Sequence, residues 1–156
     1  MGSTTDRKVR KEEMSDTLAR AMRLAEVLLE KKIGDVWVVD VAGLCGYADC
    51  LILGDAENER HMQAALEGLD QAISVPGTGF SPERGGRWTL LDLDDVVIDL
   101  FLPGTREIYR LEDLYSDATI YVFDPSGKSR RVLPEERLAL YSGKKLDMRE
   151  TGSLSP

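Results

Sequence analysis

The chain has 156 residues, 42% of them hydrophobic and 31% charged, with a slightly negative mean hydropathy and a formal charge of -8. A chain of this length buries ~68–70% of the surface its unfolded state exposes, enough for one self-supporting core, and no apolar run approaches the roughly 18 residues a membrane span needs. Charge is unevenly spread, at +2 over residues 1–34, -13 over 35–127 and +3 over 128–156; the acidic middle repels nucleic acid and attracts a basic protein partner.

Residues 1–13 are polar and mixed in charge, which predicts a flexible arm without the apolar core of a secretory signal, so a cytosolic location is expected. From Ser15, a predicted N-cap, Leu18, Met22, Ala25 and Leu29 recur at helical spacing, and Gly34 is placed to close the helix as C′. Val36 to Val41 and Cys50 to Leu53 are short, nearly all-apolar runs expected of strands covered on both faces. Asn58 is placed to cap a helix over Glu59 to Ile73, with Met62, Ala65, Leu66 and Leu69 as its inward stripe. A loop rich in Gly and Pro, Val75 to Gly86, follows.

Trp88 to Asp92 and Val96 to Phe101 are predicted strands joined in a hairpin by Leu93-Asp94-Asp95. Thr105 is the expected cap of a short helix through Tyr115, with Ile108, Leu111 and Tyr115 on one side. TIYVF and KSRRVL, split by the turn DPSG, make a second hairpin; Pro134 suits N1 of a last helix ending near Gly143, and 144–156 reads as a disordered tail. The order predicts an α/β domain with a mixed sheet and flanking helices over 14–118, extended by the hairpin and helix of 119–143.

Three groups of residues invite chemistry. Cys45, Cys50 and His61 lack the ligand number and spacing of a zinc site, and a Cys45–His61 nucleophile pair has no orienting third group in view. No metal site and no cofactor are therefore expected. Cys50 reads as a small core hydrophobe, and His61, in the first turn of its helix where the dipole disfavours imidazolium, as a neutral hydrogen-bonding residue. Asp92, Asp94, Asp95 and Asp99 cluster around a turn; Asp92 and Asp94, with Asp49, are the residues a metal-dependent nucleotidyltransferase would use, whereas a hairpin turn favours Asp without any catalytic demand. No catalytic constellation is complete.

Three ordered motifs resemble one family, the ribosomal silencing factors, also called the Iojap family. Ala48 to Ala64 aligns without a gap with a signature of the form A-D-Y-F-V-I-A-T-G-T-S-x-R-H-x-Q-A; Trp88 to Phe101 matches a Trp strand, acidic turn and Val-rich strand; Arg106, Ile108, Tyr109, Leu111, Glu112, Leu114 and Tyr115 match R-x-[FY]-Y-x-L-E-x-L-W. The resemblance, over about Leu18 to Ala118, implies a nucleotidyltransferase-like topology without enzymatic activity. It also implies binding to the large ribosomal subunit through ribosomal protein fourteen, blocking the small subunit and repressing translation; the net negative charge leads us to expect no stable binding to free nucleic acid.

On that resemblance Trp88, Leu90, Asp92, Asp94, Asp95, Arg106 and Tyr109 are the expected docking residues, while Asp49, Asn58, Arg60 and His61 order the sheet edge or its contact surface. Trp88 has a competing role in the core. This chain departs from the family pattern at Gly54 to Asn58, at Asp99 in place of a His, and at Tyr115 in place of a Trp. A homodimer whose basic tails cover the acidic sheet is the further partner reading.

Overall fold

The computed structural model describes residues 15–73 and 86–141, and 83–84 in backbone alone. The expectations for the arm 1–13, for most of the Gly/Pro-rich loop and for the tail 144–156 lie outside the described residues.

Ser15 begins the first helix as expected: its Oγ accepts the Leu18 N–H at 3.0 Å, satisfying one of the donors a helix start leaves over. Helix α1 (Asp16–Glu30) buries Leu18, Ala21, Leu24, Ala25 and Leu28. Its end corrects the expectation for Gly34. Lys32, at φ 66, takes the left-handed C′ position, with Lys32 N–H donating to Leu29 O and Ile33 N–H to Leu28 O. Leu28 and Ile33 are both buried in the same core, so the apolar residue beyond this doubly bonded stop helps to fix the ending. Gly34 is freed to start β1 (Gly34–Asp40), opposite Asp55.

Strand β2 (Cys50–Asp55) follows, and then α2 (Glu59–Ile73), whose buried residues include the expected Met62, Ala65, Leu66 and Leu69. The end of the expected loop is instead a two-residue strand, β3 (Glu83–Arg84), paired with Leu90 and Thr89. The hairpin of β4 (Trp88–Asp92) and β5 (Val96–Phe101) forms as predicted, with Leu93 N–H donating to Val96 O at 2.8 Å. The helix expected over Thr105 to Tyr115 is broken in two: α3 (Thr105–Tyr109) and a 3-10 helix (Leu111–Tyr115) meet at Arg110, whose φ of 43 stops the first and starts the second. Thr105 is a buried first helical residue rather than the cap, which is Gly104 at φ 82, and Ile108 points outward, 75% exposed. Strands β6 (Thr119–Phe123) and β7 (Ser129–Val132), a 3-10 turn (Pro134–Glu136) and a helical turn at 138–141 complete the described chain.

The seven strands form one sheet in the order β3-β4-β5-β2-β1-β6-β7. Only β2 and β5 run parallel; the other neighbours are antiparallel, so the sheet is mixed as expected. Strand residues alternate between two faces. Val36, Val38, Cys50, Ile52, Ile98 and Leu100 face α1 and α2. Trp37, Val39, Leu51, Leu53, Val97 and Phe101 face the other way, where Leu111, Tyr115, Leu140 and Tyr141 pack. No helix among the described residues is long and apolar enough to cross a membrane.

Candidate partner-binding face

The face away from α1 and α2 is incompletely covered, and its features begin with β4. Side chains at i, i+2 and i+4 share a face, so Trp88, Leu90 and Asp92 project together; Trp88 and Leu90 are half-buried and Asp92 is exposed. Arg87 fastens the start of this strand to α3, donating from Nε to Thr105 Oγ1 at 3.2 Å and from Nη2 to Pro103 O at 2.6 Å. The indole of Trp88 lies between the rings of Phe101, at 5.3 Å, and Tyr109, at 4.9 Å. Phe101 is buried and Tyr109 is 54% exposed, so Trp88 bridges core and surface.

Beneath the indole is Asp99, opposite Leu90 in register and 2% exposed. Trp88 Nε1–H donates to Asp99 Oδ1 at 2.9 Å. Burial pushes the carboxyl up to about 6, with the indole bond pulling the other way.

At the hairpin tip the acids separate. Asp92 Oδ1 accepts the Asp94 N–H at 2.9 Å, and Asp94 adopts φ 77, the turn chemistry that competes with a metal role. Asp95 is drawn to the other side of the sheet: Thr17 Oγ1–H donates to its Oδ2 at 2.9 Å and Arg20 pairs with its Oδ1. Burial raises its carboxyl, but Thr17 and Arg20 outweigh this and hold it below the usual range. The backbone O of Asp95 accepts from Asp49 N–H at 2.8 Å, placing Asp49 at the same sheet end, just before Cys50. Among the described residues, no three His, Cys, Asp or Glu gather as metal ligands would.

Arg106 is buried, which the sequence does not reveal. Its guanidinium stacks 4.3 Å above the Trp37 ring, pairs with Asp55 Oδ1 at 3.5 Å and donates to the backbone O of Asp35. Asp35 turns at φ 46 where the β1–β2 register shifts, presenting that carbonyl. At 5% exposure Arg106 is an internal strut that docks α3 on the sheet, and it does not present charge to a partner.

The other two expected contact groups are capping devices. Asn58 Oδ1 accepts His61 N–H at 2.8 Å, closing α2 as predicted. Glu57 N–H donates to His61 Nδ1 at 3.0 Å, so the ring proton sits on Nε2, which donates to Lys31 O at 2.7 Å. His61 thus joins the start of α2 to the end of α1 and has no nitrogen left for Cys45. Arg60, beside it, is exposed. Cys45 is engaged by the hydroxyl of Tyr115, which donates to its Sγ at 3.4 Å. Burial lifts that thiol, yet the bonds from Tyr115 and from the backbone of Tyr47 and Ala48 leave it lowered; Cys50, in the core, is pushed up to about 12 by desolvation.

A second unforeseen group holds the 3-10 helix. Arg137 donates to the backbone O atoms of Glu112 at 2.9 Å, of Ala118 at 3.0 Å and of Tyr115. Tyr141 O–H donates to Glu112 Oε2 at 2.7 Å, its ring meets Trp37 edge-on at 6.2 Å, and the Arg110 guanidinium lies 4.4 Å from it. Of the exposed large apolar residues described, Leu44 and Tyr47 come from the β1–β2 connection, Ile108, Tyr109 and Leu114 from the α3 to 3-10 segment, and Leu138 from the last helical turn.

A sequence model described as "Ribosomal silencing factor during starvation" matches residues 13–144. The chain belongs to that family. The match takes in the arginine-clamped 3-10 helix and the β6–β7 hairpin as well as the three motifs. Among curated relatives, the chloroplastic Iojap protein of Arabidopsis thaliana is 36% identical over 106 residues, covering 67% of this chain and 44% of its own. A mouse protein named for mitochondrial assembly of the ribosomal large subunit is 28% identical over 99 residues, covering 60% of this chain and 43% of its own. The chain therefore spans less than half the length of either. A crystal structure of a Chromobacterium violaceum protein superposes with a TM-score of 0.53 at 27% identity, over 60% of this chain and 81% of the other.

Proposed function

We propose that this silencing-factor chain docks on the large ribosomal subunit through the face built on β4, against the basic ribosomal protein fourteen, and so occludes the surface where the small subunit joins. The observation that carries the reading is the Trp88–Tyr109 pair, half-exposed and backed by Phe101, with Asp92 on the same strand face and Asp94 at its tip. An aromatic anchor rimmed by charge is the composition of an interface hot spot. Leu90 extends the apolar centre, and Asp92 and Asp94 supply the negative field that steers a basic surface into register. Asp95 and Arg106 act from within, the first tying the hairpin to α1 and the second seating α3 beneath Tyr109. The family's description as a ribosomal silencing factor and the large-subunit name of the mouse relative support the choice of partner.

The test is co-sedimentation with isolated large subunits of the wild type and of a Trp88→Ala, Asp94→Lys double variant, its folding checked by circular dichroism. Wild type should pellet and the folded variant should stay in solution. In a joining assay, added wild type should keep the subunits apart. A wild type that stays in the supernatant at moderate salt removes the proposal.

A further inference from the structure

The open-face row of β5 runs Val97, Asp99, Phe101, a carboxylate set between two buried apolar residues. Its cross-strand neighbours are Leu90 on β4 and Leu53 on β2, apolar as well. Among the described residues Asp99 has one hydrogen-bond donor, the Trp88 indole at 2.9 Å, and no cation. Among the described residues, the arginines of α3 and of the approach to β4 are committed elsewhere: Arg106 to Trp37, Asp55 and the Asp35 carbonyl, Arg87 to Thr105 and Pro103. A buried carboxylate held by a single neutral donor is an unfinished site, because one N–H bond does not replace the water that burial removes.

We infer that Asp99 is a cation-receiving residue, taking the guanidinium of one basic side chain of the docked partner at the edge of Trp88 and Leu90. The inference rests on the docking reading for its partner, and it adds a specific requirement: the partner presents an arginine at the centre of the interface, where charge-assisted bonding to a desolvated acid is strong. The titratable and charged groups on the elements around Asp99 leave the role open. Asp55 on β2 is already paired with Arg106, Asp92 on β4 lies farther along the strand in solvent, and Tyr109 of α3 contributes its ring to Trp88. Because burial lifts the Asp99 carboxyl to about 6, the site is anionic at pH 7.5 and largely neutral at pH 5.

The deciding experiment follows the Trp88 indole N–H by nitrogen-15 NMR in the full chain, its signal assigned with Trp88→Phe. Arginine amide is the probe, and citrulline amide, the same shape without the charge, is its control. Expected at pH 7.5 is a saturable shift with arginine amide, absent with citrulline amide, absent in Asp99→Asn and absent in the wild type at pH 5. No shift in the wild type, or an equal one in Asp99→Asn or with citrulline amide, overturns the inference. The comparison of the two pH values uses the wild type alone and so survives a variant that misfolds. Subunit co-sedimentation of Asp99→Asn, expected to weaken about tenfold, separates the two readings. A wild type that pellets while its indole stays silent leaves docking standing and removes the cation site. An indole that responds in a chain that does not pellet does the reverse.

Discussion

Trp88 and Asp99 face each other across the β4–β5 hairpin, with the indole N–H 2.9 Å from a carboxylate that is 2% exposed. The pairing has a thermodynamic signature. The unfolded chain loses the Asp99 proton near the ordinary aspartate value of 3.8, the folded chain only at about 6. Between those values the unfolded state holds fewer protons, so stability is full below about pH 4 and falls as pH rises to about 6, by about 3 kcal/mol. Urea unfolding at a series of pH values should show that decline in the wild type and lose it in Asp99→Asn. An unchanged decline in the variant assigns the effect to another group.

Replacing Arg106 should be among the most damaging single changes. Alanine removes the stack on Trp37, the pairing with Asp55 and the bond to the Asp35 carbonyl, at a cost of about 3 kcal/mol. Lysine should recover little, since the planar fork and the stacking are lost together. Thermal melts decide it: a lysine variant as stable as the wild type would show that only the charge counts.

Gly54 sits where a Cβ would lie 2.6 Å from Ile33 Cγ2 and 3.3 Å from Leu100 Cδ2. Gly54→Ala should therefore destabilise by about 1–3 kcal/mol through overpacking. Paired with Ile33→Ala, which removes the obstructing methyl, the combined loss should be smaller than the sum of the two. Strict additivity in denaturant unfolding would show that the backbone of β2 moves instead.

Arg137 fastens the 3-10 helix by three carbonyls. Arg137→Ala should speed amide hydrogen exchange across residues 111–118 while leaving α1 and α2 protected, because the backbone carbonyls of this segment lose their shared donor. A uniform rise across the chain would mean that the clamp stabilises the whole fold.

The elements that the sequence announces are those set by local chemistry. Ser15 and Asn58 cap the helices they precede, and the Leu93-Asp94-Asp95 turn folds as such a turn does. What escapes is decided by distant partners. Lys32 displaces Gly34 as the helix stop because Ile33 must reach the core beside Leu28. Arg106 looks like a surface charge until Trp37, far away in sequence, is found under it. Of the candidate site, Trp88, Leu90, Tyr109, Asp92 and Asp94 do gather on or near one face, whereas Asp95 is held against α1 by Arg20 and Thr17, and Arg106 is turned inward over Trp37. Asp99 reads from sequence as one more acid of the cluster around the turn, and only the packing on the open face shows it buried.

The placement of β2 also governs how the chain comes into being. Its antiparallel partner β1 precedes it, but its parallel partner β5 does not exist until Val96 to Phe101 have been made. At about 5–20 residues per second, the interval from Cys50 to Val96 lasts roughly 2–9 s. Until β5 has been made and released, the apolar Cys50 to Leu53 segment has no partner on that side. The strand at the heart of the finished sheet is thus an adhesive edge in the unfinished one, and a product broken off before Val96 is a form expected to aggregate.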